Sequence, residues 1–289
     1  MFLIKDHICR AGQTVCEDTV GWGEHFLFAL DGASGLTGAR LMEGGSDAAW
    51  FAQGVRDGLC RALSAGDSRP TAELLTHILA RLRRDYEDRA AALGVPVPPD
   101  APSAGIALFR EWPDGSVEFF GLGDCVGAAQ AADGTCISSC DEALPALDGQ
   151  VLAQMEALHR ETGISVLEAR QHCGELLLHN RTLRNVPGGY WILDLSGVGL
   201  PHARITRWQR GELESISAFS DGFAQLASPF RLYPDEEALH RALTRTPLED
   251  LLGQLYAAQE ADPQANPVSY THLPPRCLRR STRRASTSR

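Results

Sequence analysis

The chain has 289 residues, 44% of them hydrophobic and 22% charged, with 28 Gly and 16 Pro, a balance that suits one large or two modest globular domains and excludes disorder, collagen and coiled coil. Its net charge of −10 argues against nucleic acid as the main partner, because phosphate backbones require a basic footprint. The longest apolar runs, such as 26–30, fall far short of a membrane span, and Lys5 and Asp6 interrupt any secretory leader, so a cytoplasmic protein without a membrane partner is expected.

The first strand signal is FLFAL at 26–30. Helical periodicity follows at 46–64, where Ala49, Ala52, Val55, Leu59 and Leu63 share a face behind a capping Ser46 or Asp47. A second helix is expected at 71–93 through Leu74, Leu75, Ile78, Leu82 and Tyr86. The Pro-rich loop at 94–104 requires no domain boundary. Strands at 105–112 and 116–123 are joined by Pro113-Asp114-Gly115, a hairpin signal. Further strands at 126–131 and, beyond Asp133-Gly134, at 135–139 would extend this hairpin into a meander.

Helices are expected at about 145–160 and 165–180, the second opened by Ser165 with Glu168 three residues on. Strands at 189–195, 203–210 and 212–219 come next, with Gly211 as a tight turn between the last two. Helices at about 235–244 and 247–260 close the periodic part. Long helical pairs between antiparallel strands indicate α+β layering, not a parallel βαβ sheet. From about Pro267 the apolar periodicity stops, and 276–289 holds six arginines and no acid. Without that segment 21 basic residues face 37 acidic ones, a balance of −16. The expected organisation is a single domain over 1–266. Residues 267–289 then form a basic tail, read as disordered or foreign to the domain, or as an arm for an acidic partner.

Of the 27 basic residues 26 are arginine, and Lys5 stands alone. Chemistry needing a placed lysine, such as a Walker A loop or a pyridoxal Schiff base, is thereby excluded. The eight cysteines form no CxxC pair, so they read as reduced thiols acting as small apolar residues. The histidines show no HExxH or HxH spacing. His25, just before the first strand, is a general-acid candidate or a solvated loop residue. Arg181 and Arg184 read as a solvated helix-end pair, and Tyr190-Trp191 as sheet packing.

Carboxylates recur where apolar strands emerge beside glycine: Asp31-Gly32, Gly123-Asp124 and Asp221-Gly222, with Glu17-Asp18 ahead of the first strand. Each pair alone is an ordinary turn. Several such carboxylates meeting at one sheet edge would repel one another unless a cation neutralised them, and oxygen-only ligands match magnesium or manganese.

The ordered set resembles the metal-dependent serine/threonine phosphatases of the 2C class. Their pattern of an ED pair, a strand ending in DG, a Ser/Thr-rich strand opening, a GD pair and a late SDG is matched by Glu17-Asp18, Asp31-Gly32, PSAGIALF at 102–109, Gly123-Asp124 and Ser220-Asp221-Gly222. The resemblance covers about residues 5–262. It implies a four-layer α/β/β/α sandwich of two mainly antiparallel sheets flanked by helix pairs, with two Mn2+ or Mg2+ ions at one end. It also implies hydrolysis of phosphoserine or phosphothreonine in a phosphoprotein substrate, by a water whose pKa the two cations lower. By matching position, Asp31 would bridge both ions, the Gly32 carbonyl would ligate one and Asp221 the other. Glu17 and Asp18 would hold water ligands, while Asp124 and Ser220 would support the site from behind. No covalent phosphoenzyme is implied, so Cys125 and Ser220 need not be nucleophiles.

The chain departs from the pattern in two places. The family's phosphate-gripping arginine, four or five positions before the ED pair, is replaced by Gly12 and Gln13, leaving Arg10 as the nearest candidate. The terminal DD or DN, which supplies a metal ligand, is absent, so the resemblance implies a domain, 1–266, lacking its final strand. These gaps support an alternative: a catalytically impaired member acting as a regulatory or protein-binding module. A phosphatase of small phosphoesters is a narrower variant, and the oligomeric state is not legible.

Overall fold

The structure is a computed structural model that describes residues 2–9, 15–35, 40–261 and 277–282. In chain order its elements are β1 (Leu3–Cys9), β2 (Thr19–Gly23), β3 (Phe26–Ala33), α1 (Asp47–Ser64), α2 (Thr71–Leu93), β4 (Ser103–Glu111), β5 (Ser116–Leu122), β6 (Val126–Ala131) and β7 (Cys136–Ser139). There follow α3 (Ala143–Thr162), α4 (Val166–His172), α5 (Gly174–Thr182), β8 (Leu193–Asp194), β9 (Arg204–Gln209), β10 (Leu213–Phe219), α6 (Asp221–Ala224), α7 (Glu236–Leu243), α8 (Leu248–Glu260) and β11 (Cys277–Thr282). One sheet has the order β2-β3-β4-β5-β9, with β8 beside β4, and the other β1-β11-β10-β6-β7. Every pairing between these strands is antiparallel.

Period-two alternation within the strands builds the layers. On β3, Phe26, Phe28 and Leu30 join Ile106, Leu108 and Phe120 in a core against α1 and α2, while the intervening Leu27 and Ala29 face the second sheet with Phe109, Phe119, Ile216 and Ala218. On the far side, Val126, Ala128 and Phe219 pack against Leu239 and Leu243 of α7 and Leu251, Leu252 and Leu255 of α8. The strands therefore read apolar on both faces, as strands covered twice must. The result is the four-layer α+β sandwich, α1/α2 over one sheet and α7/α8 over the other. Among the described residues no helix is long and apolar enough to cross a membrane.

Helix starts follow local chemistry. Ser46 accepts from the Ala49 amide to cap α1, Ser165 from Glu168 to cap α4, and Asp235 from Ala238 to cap α7. The helices α3, α4 and α5 belong to neither flanking layer. They share a small core of Val151, Met155, Ala169 and Cys173 and stand over one end of the sandwich.

Several expectations are corrected. The stretch 105–139 is no meander: β4 and β5 form the expected hairpin, but β6 and β7 lie in the other sheet. Gly211 likewise does not close a hairpin, since β9 pairs with β5 and β10 with β6 and β11. In both places a short turn switches sheets, because strands of opposite sheets bury the same kind of alternating face. Residues 189–195 yield only the two-residue β8, because a side chain takes the place of a strand partner: Asn185 accepts from the Ile192 amide and donates to Asp194. The helix at 165–180 is broken at Cys173, whose amide bonds back to the Arg170 carbonyl before α5 begins at Gly174. Cys277–Thr282, placed by sequence in an unstructured tail, lies between β1 and β10. The backbone groups facing each other across that slot give any extended segment a ladder on both sides, and composition alone does not reveal such a slot.

Candidate functional site

The carboxylates singled out in the sequence lie where β3 ends, β4 begins and β10 gives way to α6. Antiparallel register sets Asp31 opposite Gly105 and Gly32 opposite Ala104. A Cβ on Gly105 would stand 2.8 Å from Asp124 Oδ1, so the GD turn after β5 lays its carboxylate across the strand that pairs with Asp31. A Cβ on Gly32 would meet the Glu17 carbonyl oxygen at 2.3 Å, so only glycine lets the Glu17-Asp18 segment pass this close. Asp221 follows Phe219 and the buried Ser220 as the first residue of α6. Its strand β10 pairs with β6, setting Phe219 opposite Val126 just after Asp124-Cys125.

Glu17, Asp31, Gly32, Asp124 and Asp221 thereby line one cavity of about 340 Å³. Its remaining wall comes largely from the helical cap, including Asp148, Arg170, Asn180 and Arg181, with Tyr190 beneath. A wider hollow of about 640 Å³ adjoins it and shares Asp124, Asp148 and Asp221. Asp18 is 4% exposed and Asp31 8% exposed. The buried Cys125 thiol reports the field these groups create: burial pushes its pKa well up, and the charges of Asp31, Asp124, Asp18 and Asp221 push it further. Four carboxylates from four separate stretches of chain therefore act on a single sulfur.

Around them, Ser34 donates to Glu17 Oε1, and Arg181 reaches the Ser34 carbonyl at 3.4 Å. Burial raises the Tyr190 phenol pKa, opposed by the cations of Arg181 and Arg184. Asn180 Nδ2 bonds the Leu147 carbonyl at 3.4 Å, while its Oδ1 is buried with no hydrogen-bond partner among the described residues. The donor set is entirely oxygen and suits hard divalent cations. Among the described residues no three His, Cys, Asp or Glu side chains are gathered tightly enough to enclose a cation as they stand.

Other sequence candidates fall elsewhere. Ser220 is fully buried behind the cavity. His25 bonds Glu111 at 3.0 Å, at the opposite ends of β3 and β4, and has no access to the carboxylates. Arg184 donates to the Ala101 carbonyl at 2.7 Å instead of lying free on a helix surface. Arg10 lies outside the described residues. Arg170, Arg181, Asp148 and Asn180 were missed as site residues. They sit in the cap helices, and α5, which carries Asn180 and Arg181, has no one-sided apolar pattern and buries none of its residues, so the sequence marks no face that would meet a cavity.

Comparison with known proteins places this arrangement in a fold. No model of a known protein family matches the sequence, and no curated protein does either. Solved structures do match. A bacterial serine phosphatase superposes with a TM-score of 0.53 at 11% identity, over 98% of each chain. Serine/threonine phosphatase Stp1 from Staphylococcus aureus gives 0.52 at 13% identity, over 98% of this chain and 96% of that one. The PPM Ser-Thr phosphatase MsPP from Mycobacterium smegmatis, in complex with cacodylate, gives 0.50 at 14% identity, over 96% of each. The chain has the fold of these bacterial serine/threonine phosphatases, along nearly its whole length.

Proposed function

We propose that the chain is a metal-dependent phosphatase that hydrolyses phosphoserine and phosphothreonine in phosphoproteins, with two Mn2+ or Mg2+ ions as cofactors. The observation that carries this reading is the meeting of Glu17, Asp31, Asp124 and Asp221 on one cavity at the end of a phosphatase-type sandwich. Asp31 and Asp221 would be the chief ligands, joined by the Gly32 carbonyl. Glu17 and Asp18 would hold the water shell of the cations, with Asp124 and Ser220 steadying the arrangement. When bound, the pair of cations supplies an activated water and neutralises charge on the phosphoryl oxygens. Arg181 and Arg170, on the opposite wall of the cavity, would orient the phosphate from the cap side, the part the sequence left to Arg10. The adjoining hollow would accept the flanking peptide.

The test is Mn2+-dependent release of phosphate from a phosphoserine peptide, with Asp31→Asn and Asp221→Asn each expected to lower kcat/KM at least ~100-fold, about 2.7 kcal/mol of transition-state stabilisation. Activity surviving both changes would sink the assignment. A second reading, an impaired phosphatase serving as a binding module, is favoured by β11: the sequence CLRRST has no carboxylate to act as a terminal ligand. Calorimetric titration separates the two, two strong Mn2+ sites speaking for the enzyme and none for the module.

A further inference from the structure

Beside the carboxylate cavity stand two thiols that the proposed chemistry does not use. Cys9 is the last residue of β1, and Cys16 immediately precedes Glu17-Asp18. Their sulfurs lie 3.6 Å apart. Both converge on the Asp18 carbonyl, Cys9 at 3.7 Å and Cys16 at 3.3 Å. A disulfide bond is about 2.05 Å long, so about 1.5 Å of sulfur movement would join them. Cys9 is exposed and Cys16 half-buried, which gives an oxidant access to the first and shelters the second.

Four of the other described thiols, Cys125, Cys136, Cys140 and Cys173, differ. Cys125, Cys136 and Cys173 are buried. Burial pushes Cys136 and Cys140 each up to about 11, and Cys125 well above the ordinary range. Such thiols stay protonated and unreactive near neutral pH. Cysteine pairs that oxidise reversibly combine an accessible thiol with a resolving neighbour, as Cys9 and Cys16 do.

We propose that Cys9 and Cys16 are a peroxide-responsive pair whose disulfide ties the end of β1 to the residue before Glu17. The Cys9 thiolate attacks hydrogen peroxide, the O–O bond breaks, and a sulfenic acid and hydroxide result. The Cys16 sulfur then attacks the sulfenic sulfur: the S–S bond forms, the S–O bond breaks, and water leaves with the Cys16 proton. In sum two thiols lose two electrons and two protons to one peroxide, giving a disulfide and two waters, and a dithiol reductant reverses the change. The bridge would pin the Glu17-Asp18 segment, which leads into β2 of one sheet, to β1 in the other.

The experiment treats the full chain with stoichiometric hydrogen peroxide, blocks remaining thiols and maps the digest by mass spectrometry. The expected product is a Cys9–Cys16 cross-linked peptide, lighter by two hydrogens and abolished by dithiothreitol. Cys16→Ser should instead halt at the sulfenic acid, so that dimedone labels Cys9 there at least tenfold more than in the wild type. A conformational melt confirms that each variant is folded. Cys9 and Cys16 both remaining free thiols while the protein is folded would overturn the proposal. So would a bridge from Cys9 to Cys277, its register partner on β11, or equal dimedone labelling with and without Cys16. The readout is covalent, so it stands or falls independently of phosphatase activity.

Discussion

The most direct test of how the site is assembled is a single methyl group at Gly123. This residue has φ +81, and a Cβ there would lie 2.9 Å from Gly105 Cα and 3.3 Å from Ile192 Cγ1. Two costs add in Gly123→Ala. Left-handed backbone costs an L-residue roughly 1–2 kcal/mol, and overpacking against immovable backbone roughly 1–3 kcal/mol more. Gly115, at the tip of the β4–β5 hairpin, supplies the control: its φ is also +81, but nothing lies within 4 Å of its Cβ position. Gly115→Ala should therefore carry the first cost alone.

With a urea slope of about 3 kcal/mol per molar, at the upper end of the range for small proteins, Gly115→Ala should lower the unfolding midpoint by roughly 0.3–0.7 M and Gly123→Ala by roughly 0.7–1.7 M. The assay is urea unfolding followed by tryptophan fluorescence and circular dichroism, with slopes compared to show that the unfolded states match. The difference between the variants isolates the contact between the GD turn and β4. Equal midpoints for the two would refute the claim that close packing on Gly105, and not merely turn conformation, fixes Asp124 against β4, the strand that pairs with the one bearing Asp31.

Two further outcomes follow from buried or ion-paired groups remote from the cavity. Glu118 is 3% exposed and accepts from Thr71 Oγ1 at 2.7 Å and from Arg207 Nη2 at 2.7 Å; Glu118→Gln, which weakens the charge-assisted bond, should cost roughly 1–2 kcal/mol in urea unfolding, and a loss below roughly 0.5 kcal/mol would show that the half-solvated Arg207 contributes nothing. Asp67 is held down to about 2, chiefly by hydrogen bonds from Arg69. A carboxyl depressed in the folded state adds stability above its ordinary pKa and loses it as pH falls toward the folded value. Asp67→Asn should thus melt below the wild type at about pH 6 and converge with it near about pH 2, and a gap independent of pH would refute the linkage.

What the sequence disclosed depended on how local the signal was. The helices α1 and α2 and the β4–β5 hairpin were legible because their apolar period, caps and turn residues all lie within the element itself. β1, β2 and β11 carried no comparable pattern. Short strands are fixed by the neighbours they pair with, and for β11 those neighbours are β1, more than 250 residues away in sequence, and β10, more than 50 residues away. The choice of sheet at Gly211 was illegible for a related reason. Alternating strands covered on both faces look alike whichever sheet they join, so the turn alone could not distinguish a hairpin from a crossing.

The candidate site shows the same division at the level of side chains. Asp31, Asp124 and Asp221 could be read because each ends an apolar strand next to glycine, and strand ends at one edge of a sandwich are bound to be neighbours. The cap residues Asp148, Asn180 and Arg181 could not, since a helix face becomes a cavity wall only through the angle at which its helix settles on the sheets. The cap helices pack on one another through the small core of Val151, Met155, Ala169 and Cys173, which joins no sheet residue, whereas larger cores bind α1 and α2 to one sheet and α7 and α8 to the other. The acidic half of the cavity thus rests on strand ladders, and the basic half on a lightly anchored cap. Motion of the cap would change the distance between Arg181 and the carboxylates while leaving the carboxylates themselves in place. Under the proposed function, substrate grip and cation binding would therefore be separable: substitutions in the small cap core, such as Met155→Ala, should act on KM for a phosphopeptide before they act on Mn2+ affinity.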